Sequence, residues 1–257
     1  MFFVIFAKQP LLTISTHFKR ISMKQHLVVF TGAGISAESG IPTFRDANGM
    51  WGTYDAMKLA SVEGFEEDPQ AVLDFYNARR KNLLEVEPNH AHRVLADLEK
   101  TFEVSIITQN VDDLHERASS SHVIHLHGEL TKVTGTRDRL NPQNIKEYPL
   151  DLPIRLGDKA ANGSQLRPYI VWFGEYVNNM DVAIRLVKRA DIFVVIGTSL
   201  VVYPAAGLVN HAHREIPKFL IDPNDVMGSF PIGYQHIKAT AVEGVDELVR
   251  RLEEVKG

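Results

Sequence analysis

The segment 26–46 reads HLVVFTGAGISAESGIPTFRD, and it decides the fold of this chain. Its apolar start, 26–31, predicts a short buried strand, and the glycines after it predict a tight turn into a helix. In a doubly wound sheet, a strand, a glycine turn and a helix in this order present backbone N–H groups to a pyrophosphate. The six residues from Gly32 fit Gly-x-Gly-x-x-Ala, a dinucleotide fingerprint that is weak on its own. Gly40 and Pro42 then break the helix within about two turns.

The residues after these glycines depart from an ordinary dinucleotide-binding unit. Such a unit continues as an amphipathic helix and leads to a second strand that ends in an acid. Here the chain enters a polar loop that contains Phe44, Arg45 and Asp46. We infer that this loop folds over its ligand and that NAD is consumed at the site, not merely held there.

Composition narrows the class of protein. The chain has 257 residues, enough to bury a sizeable core as one large domain or as a large domain with a smaller insert. Its net charge of -4 at pH 7 contrasts with the basic balance of nucleic-acid-binding domains, so we expect no nucleic-acid partner. A cysteine count of 0 excludes disulfides, thiolate metal ligands and cysteine nucleophiles.

Residues 1–22 are interpreted as an N-terminal extension that is not part of the fold. The apolar run 1–6 is too short for a membrane span, and no small-residue cleavage site follows it. Met23 stands just before the first predicted strand, so we expect the folded unit to occupy 23–257. We therefore predict a cytoplasmic protein without a membrane partner, and we predict that it is a monomer.

Past this point the chain alternates between strands and helices in the α/β manner. The predicted strands are 26–31, 103–108, 122–126, 169–173, 191–196 and 218–222. The predicted helices are 69–86, 89–99, 111–117, 180–190, 204–214 and 244–255. The stretches 42–66 and 131–168 do not join the alternation, and the second is too long for a bare loop in a compact domain. The fold class is therefore α/β, with a parallel sheet in a large domain and a smaller inserted domain formed by about 42–90 and 131–168.

Polar residues gather where predicted strands end, in the clusters 108–115, 127–130 and 197–199. Ligands of open parallel sheets bind at the carboxyl ends of the strands, so these clusters and the glycine loop outline one crevice. For any one cluster alone, helix capping is an alternative, with Asn110 and Asp112 or Thr198 and Ser199 as the caps.

The clusters together resemble the sirtuin family of NAD-dependent protein-lysine deacylases. The resemblance runs from about residue 24 to the end of the chain. It rests on Gly-Ala-Gly-Ile-Ser-x-x-Ser-Gly-Ile-Pro-x-Phe-Arg, Thr-Gln-Asn-Val-Asp, His-Gly, Trp-Phe-Gly-Glu and Gly-Thr-Ser in this order. It implies a large Rossmann-like domain and a small domain, with NAD and acyl-lysine meeting in the cleft between them. The region 23–257 would then be a sirtuin-type catalytic domain.

The resemblance also implies roles for the motif residues. His127 would be the general base, since a neutral imidazole suits proton transfer near neutral pH. Gln109, Asn110 and Asp112 would bind the nicotinamide ribose and carboxamide and so orient the leaving group, which makes Asn110 a catalytic residue as well. Phe44 would shield the reacting ribose carbon from water. The substrate's acyl oxygen would attack that carbon as nicotinamide leaves, giving O-acyl-ADP-ribose and free lysine. The implied NAD-binding residues are Gly32, Ala33, Gly34, Ile35, Ser36, Glu38, Phe44, Arg45, Trp51, Gln109, Asn110, Asp112, Gly197, Thr198, Ser199, Asp222 and Ala241.

Three residues indicate which acyl group is removed. Tyr76 and Arg79 are three apart on a predicted helix and share a face, where an arginine fork beside a phenol suits a carboxylate. They match the Tyr-x-x-Arg of desuccinylase and demalonylase sirtuins, and Ala60 matches the small residue that makes room for a longer acyl chain. The resemblance further implies that the substrate backbone adds as a strand to residues Val171, Phe173, Gly174 and Glu175.

The chain departs from the family at the structural zinc, which sirtuins usually hold on two Cys-x-x-Cys pairs in the small domain. The corresponding interval 131–168 has no cysteine and no histidine, and its scattered carboxylates are poor zinc ligands, so we predict no zinc. Apolar packing is expected to hold the small domain instead, through Leu140, Ile145, Tyr148, Leu150, Leu152 and Ile154. Asp222 is a second departure, because the family often has asparagine there.

Two alternatives use the same NAD site. A protein ADP-ribosyltransferase would leave ADP-ribose on its target, and a non-catalytic NAD-sensing module would bind NAD without turnover. Tyr76, Arg79 and Ala60 weigh against the first, and His127 with Asn110 weighs against the second. A dehydrogenase is disfavoured because the strand-ending acid is missing.

Overall fold

The computed structural model describes residues 24–43, 56–226 and 230–255. The expected NAD-loop residues Phe44, Arg45 and Trp51 lie outside these ranges, as does the proposed extension 1–22. Among the described residues, none of the helices combines the length and the apolar character that a membrane crossing requires.

A six-stranded parallel sheet forms the centre of the molecule. Its strands are β1 (His26–Thr31), β2 (Glu103–Thr108), β3 (Val123–His125), β7 (Ile192–Ile196), β8 (Lys218–Ile221) and β9 (Tyr234–Ile237). Their order across the sheet is β3-β2-β1-β7-β8-β9. Buried aliphatic side chains project from both faces, which is the pattern of a parallel sheet covered on both sides. The predicted α/β class is confirmed. The strand β9, a short polar segment after Gly233, was not predicted.

Helices cover both faces of this sheet. On one face lie α5 (His90–Asp97) and α8 (Ala241–Val255), and on the other lie α7 (Met180–Lys188) and a 3₁₀ helix, Ala205–Asn210. The remaining helices are α1 (Gly34–Ala37), α2 (Ala56–Leu59), α3 (Val62–Glu67), α4 (Pro69–Leu83) and α6 (Leu114–Arg117), with a 3₁₀ turn at Leu98–Lys100. The prediction of a full helix over 204–214 was wrong, because the segment starts after Pro204 and contains Gly207, a poor helix former.

A second, antiparallel sheet is built from β4 (Gly128–Gly135), β5 (Lys146–Glu147) and β6 (Leu166–Ile170), in the order β5-β4-β6. The segment predicted as a strand at 169–173 therefore belongs to this sheet and not to the parallel one. The strand β4 was not predicted, and α2 and all but the last residue of α3 lie in the stretch 42–66, which does not join the predicted alternation. The helix α4 packs against the second sheet through Leu73, which clusters with Val133 and Leu166.

Apolar packing holds this region less than the sequence predicts. Ile154 is fully buried, and Tyr148 and Leu150 are partly buried against neighbouring clusters. Leu140 and Leu152, however, are 46% and 44% exposed, so their expected core role was wrong. Hydrogen bonds supply part of the stabilisation of this region.

The side chain of Arg80 is the main polar tie in this region. It is fully buried, and it donates to the backbone carbonyls of Leu130, Tyr148, Pro149 and Leu152. Its guanidinium also lies 5.1 Å from the centroid of the Tyr148 ring. One arginine of α4 therefore joins the strand β4 to the loop that follows β5.

Replacing this arginine should destabilise the fold. Arg80→Met fills much of the same space but removes the donor of one buried and three partly buried hydrogen bonds, so we expect the free energy of unfolding to fall by about 3 kcal/mol. Urea denaturation followed by circular dichroism measures this change. The neighbouring Lys81→Met, at an exposed position, should stay within about 0.5 kcal/mol of the parent. Equal stabilities for the two variants would contradict the role assigned to Arg80.

Candidate active site

The glycine loop lies at the point where the order of the sheet reverses. The strand β1 pairs with β2 on one side and β7 on the other, and the loops after β1 and β7 touch each other. A Cβ on Gly34 would lie 2.6 Å from the Cα of Gly197, and one on Gly32 would lie 2.7 Å from the Cβ of Thr198. Such a switch point is where open α/β sheets bind their ligands.

Gly32 and Gly34 allow the loop after β1 to pack closely against the loop after β7, and their N–H groups are paired within the protein. The N–H of Gly32 donates to Ile196, and the N–H of Gly34 donates to Gly197, so neither group is available to a pyrophosphate. Within the described ranges, the N–H groups of Ala33, Thr198 and Ser199 have no acceptor, and all three residues line the cavity. Within the described part of the glycine loop it is therefore the N–H of Ala33, and not that of Gly32 or Gly34, that is unpaired.

Polar side chains from β1–α1 and from the loop after β2 form a buried chain. Asn110 donates from Nδ2 to Ser36 Oγ over 3.1 Å, and Ser36 Oγ donates to Asp112 Oδ2 over 3.0 Å. Burial raises the pKa of Asp112, and the hydrogen bonds from Leu114 and Ser36 oppose that shift. The other oxygen of Asp112 accepts from the N–H of Leu114, two residues further along the chain, while the N-cap of α6 is Asp113, whose side chain makes no capping hydrogen bond. Asp112 therefore closes the turn before α6 and, through Ser36, holds Asn110 at the cavity wall.

His127 faces the same cavity from the end of the chain segment after β3. Its Nδ1 lies 2.9 Å from the backbone carbonyl of Gln109, and because a carbonyl only accepts, Nδ1 carries the proton. The lone pair of the neutral ring is then on Nε2. Burial lowers the pKa of His127, which favours this neutral form at neutral pH. The side chain of Gln109 is itself held, since Thr198 Oγ1 donates to its Oε1 over 2.8 Å.

An aromatic and cationic wall closes the part of the cavity near α4. Tyr76 is 1% exposed, and its ring stacks against that of Trp172 with centroids 6.4 Å apart. The guanidinium carbon of Arg79 lies 5.9 Å from the Tyr76 ring centroid and 5.7 Å from that of Phe75. Burial raises the pKa of Tyr76, so the phenol keeps its proton. Burial lowers the pKa of Arg79, but arginine is so strong a base that its guanidinium stays charged. Ala60 lines the same cavity.

The segment after β6 is hydrogen-bonded to both sides of the site. The backbone N–H of Val171 donates to the backbone carbonyl of His127 over 2.8 Å, and that of Phe173 donates to the backbone carbonyl of Ala60 over 2.7 Å. Among the described residues, the carbonyl of Val171 and the N–H of Gly174 have no backbone partner, so they remain for an added strand.

The carboxylate of Glu175 is engaged within the protein. It accepts two hydrogen bonds from the buried Arg167, at 2.7 and 3.1 Å, and one from the N–H of Trp172 at 2.9 Å. Arg139 Nε adds an ion pair at 3.3 Å. Glu175 lines the cavity, but its carboxylate binds Arg167 of β6 and the N–H of Trp172 in the loop that follows β6.

One cavity of about 740 Å³ collects nearly all of these residues. Of the described positions expected at the site, Gly32 and Ile35 are not in its wall; Ile35 is buried in the core. Glu38 and Asp222 line it, although a Glu38 oxygen also accepts from the N–H of Val242 over 3.0 Å. The sequence analysis missed several residues of the cavity wall: Val201, Val202, Tyr203, Pro204, Asn224 and Thr240. The first four directly follow the Gly-Thr-Ser motif, and that position is the signal that could have identified them.

The small sheet shows no fit to a zinc ion. Across the described ranges, no group of histidine, aspartate and glutamate side chains is placed to bind a metal. The turn after β4 is joined instead to the turn before β6 by side-chain hydrogen bonds. Asn162 donates to the carbonyl of Arg137 and accepts from Ser164, both over 2.7 Å.

This geometry defines the class of the protein. It is a doubly wound α/β protein with a ligand cavity at its switch point and a small antiparallel sheet beside that cavity. The chain matches the Sir2 family over residues 32–204, and it belongs to this family, the sirtuins. The resemblance stated from the sequence is thereby confirmed at the level of the family.

Relatives and solved structures agree with this assignment. The NAD-dependent protein deacylase of Bacteroides thetaiotaomicron is 56% identical over 89% of this chain and 98% of that protein. The protein of the same name from Helicobacter pylori is 52% identical over 90% of this chain and 99% of its own length. A Sir2 homologue solved as a complex with NAD has a TM-score of 0.79 and 41% identity, covering 91% of each chain. Sir2Tm bound to a propionylated peptide has a TM-score of 0.70 and 29% identity, covering 90% of this chain and 94% of its own.

Proposed function

We propose that this chain is an NAD-dependent protein-lysine deacylase that prefers succinyl- and malonyl-lysine and retains some deacetylase activity. Its products are nicotinamide, free lysine and O-acyl-ADP-ribose. The observation that carries the proposal is the single cavity, lined both by the loops after β1 and β7 and by the Tyr76–Arg79 wall. The names of the Bacteroides and Helicobacter relatives support the general activity.

The residues at the glycine loop suit NAD as the co-substrate. The N–H groups of Ala33, Thr198 and Ser199 give unpaired donors for phosphate oxygens at the end of β1 and β7. Asp222 offers a carboxylate that accepts from ribose hydroxyls at the far end. The Sir2 homologue solved with NAD supports this assignment.

His127 is the general base, and Asn110 orients the co-substrate. His127 Nε2 accepts a proton from a ribose hydroxyl, and the carbonyl of Gln109 holds the ring in the required tautomer. Asn110, fixed through Ser36 and Asp112, orients the nicotinamide end of the co-substrate. No nucleophile from the protein is required, because the acyl oxygen of the substrate attacks the ribose carbon as nicotinamide leaves, and a water molecule then completes the release of the free lysine.

The acyl preference rests on the wall at α4. A succinyl or malonyl chain ends in a carboxylate, and Arg79 and Tyr76 offer it a charged donor and a neutral phenolic donor. Both lie in an apolar surround of Phe75 and Trp172, where such hydrogen bonds are stronger than in water. Ala60 leaves room for the longer chain.

The test is mass spectrometry of NAD incubated separately with succinyl-lysine and acetyl-lysine peptides. We expect O-succinyl-ADP-ribose to form faster than O-acetyl-ADP-ribose at equal peptide concentration. Acetyl transfer alone would overturn the acyl preference and leave the deacylase. ADP-ribose attached to protein would identify a transferase, and NAD binding without turnover would identify a sensor.

A further inference from the structure

We propose that His125 is a positioning residue that, as an imidazolium paired with Glu116, fixes the backbone of Asn110. The proposal rests on the proposed function, in which Asn110 orients the nicotinamide end of NAD. His125 precedes the expected base His127 by two residues on the same segment, but it is absent from the cavity wall. Its action on the reaction therefore passes through Asn110.

Both ring nitrogens of His125 face oxygen atoms that accept hydrogen bonds. Nδ1 lies 3.1 Å from the backbone carbonyl of Asn110, and Nε2 lies 2.8 Å from Oε1 of Glu116. A carbonyl and a carboxylate have no proton to give, so satisfying both contacts requires a proton on each nitrogen. The ring is 8% exposed, which leaves water little part in this exchange. The geometry therefore selects the charged form of His125.

The contact places Asn110 between two fixed points. Its carbonyl accepts from His125, while its side chain donates to Ser36 Oγ over 3.1 Å. The segment that carries His125 is itself anchored, because Asn179 Nδ2 donates to the His125 carbonyl over 3.1 Å. When the imidazolium loses a proton, the remaining proton stays on Nε2, because the carboxylate of Glu116 is a stronger acceptor than the carbonyl of Asn110. Nδ1 then no longer donates to Asn110, and the residue can shift.

The charges around His125 favour the imidazolium. Burial works against it, but the hydrogen bond and charge of Glu116 and the charge of Glu129 raise the pKa of His125 above its ordinary value. The titratable groups that face it from α6, β4 and the loop after β2 are Glu116, Glu129, His115, Asp112 and Asp113. Because the pKa is raised, the positioning contact is complete below about pH 6.5 and is lost as the pH rises through the higher value.

The pH dependence of kcat separates this residue from the base. The rising limb belongs to His127, whose pKa is lowered, and the falling limb belongs to His125. Glu116→Gln keeps an acceptor for Nε2 but removes the negative charge, so the falling limb should move down by about one pH unit. His125→Gln keeps a donor for the Asn110 carbonyl but cannot titrate, so the falling limb should disappear and kcat should fall by about tenfold. His122→Gln, at an exposed histidine of the same segment, should leave both limbs in place.

A falling limb that persists in His125→Gln, or that stays in place in Glu116→Gln, would overturn the proposal. A second measurement does not depend on activity or on either variant. The ¹⁵N shifts of the histidine side chains in the parent protein should show His125 doubly protonated at pH 7, and a neutral ring there would also overturn the proposal. A parent protein that binds NAD but turns over neither acyl peptide would refute the proposed function instead, and the histidine spectrum would still decide the charge of His125.

Discussion

His127→Ala should lower kcat by at least about 10²-fold while leaving NAD binding within a few-fold of the parent. The ring lines the cavity, its Nδ1 is fixed by the carbonyl of Gln109, and burial lowers its pKa. A neutral imidazole is therefore present at pH 7, ready to accept a proton through Nε2. Removing it takes away the expected general base and leaves the loops that would hold NAD unchanged.

The measurement combines single-turnover product formation with calorimetric titration of NAD. In the parent enzyme, the rate should rise with pH through a value below about 6.5, because the lowered pKa of His127 frees the base early. His127→Ala should lack this rising limb in its residual activity. A variant that keeps kcat within threefold of the parent would contradict the role of His127 as base.

Arg79→Met should lower kcat/KM for succinyl-lysine peptides by between about tenfold and about hundredfold, with little effect on acetyl-lysine peptides. A hydrogen bond to a charged group contributes about 1.5–3 kcal/mol, which corresponds to this range of rates. An acetyl group has no carboxylate, so its reaction does not depend on that hydrogen bond. The methionine keeps much of the apolar stem that packs near Phe75 and Tyr76. The selectivity between the two acyl groups should therefore collapse without loss of the fold.

Parallel kinetics on the two peptides measure this change. Tyr76→Phe removes only the phenolic hydroxyl and should shift selectivity in the same direction by a smaller factor. Arg79→Lys keeps the charge without the planar fork and should fall between the parent and Arg79→Met. Equal losses on succinyl and acetyl peptides would show that Arg79 supports the cavity wall and not the acyl carboxylate.

Local sequence predicted the parallel sheet well because its signals lie within a few neighbouring residues. The strands at 26–31 and 103–108 have the predicted bounds, since each is rich in the apolar and β-branched residues that suit a buried parallel strand. The helix from Pro69 begins as predicted, with Asp68 accepting from the N–H of Ala71. Such capping and periodicity are readable without knowing any partner in space.

The second sheet could not be read in the same way. The strand β4 mixes polar and apolar residues, and its partner β6 lies about thirty residues further along the chain. The exposure of Leu140 and Leu152 follows from the same limit, because Arg80 and the Asn162–Ser164 contacts organise a region where apolar packing was expected. Whether a leucine is buried depends on which segments fold over it.

By itself, the sequence determined the α/β class, the order of the motifs and the residue types that the site contains. Turn glycines, apolar runs and caps act over a few residues, so they can be read without knowing which distant segments pack against them. Only the tertiary structure decided that the N–H groups of Gly32 and Gly34 are already paired, that the Glu175 carboxylate belongs to an arginine cluster, and that His125 bridges Asn110 and Glu116. Each of these depends on atoms from distant segments, and hydrogen bonds form only where folding brings those atoms within about 3 Å of one another.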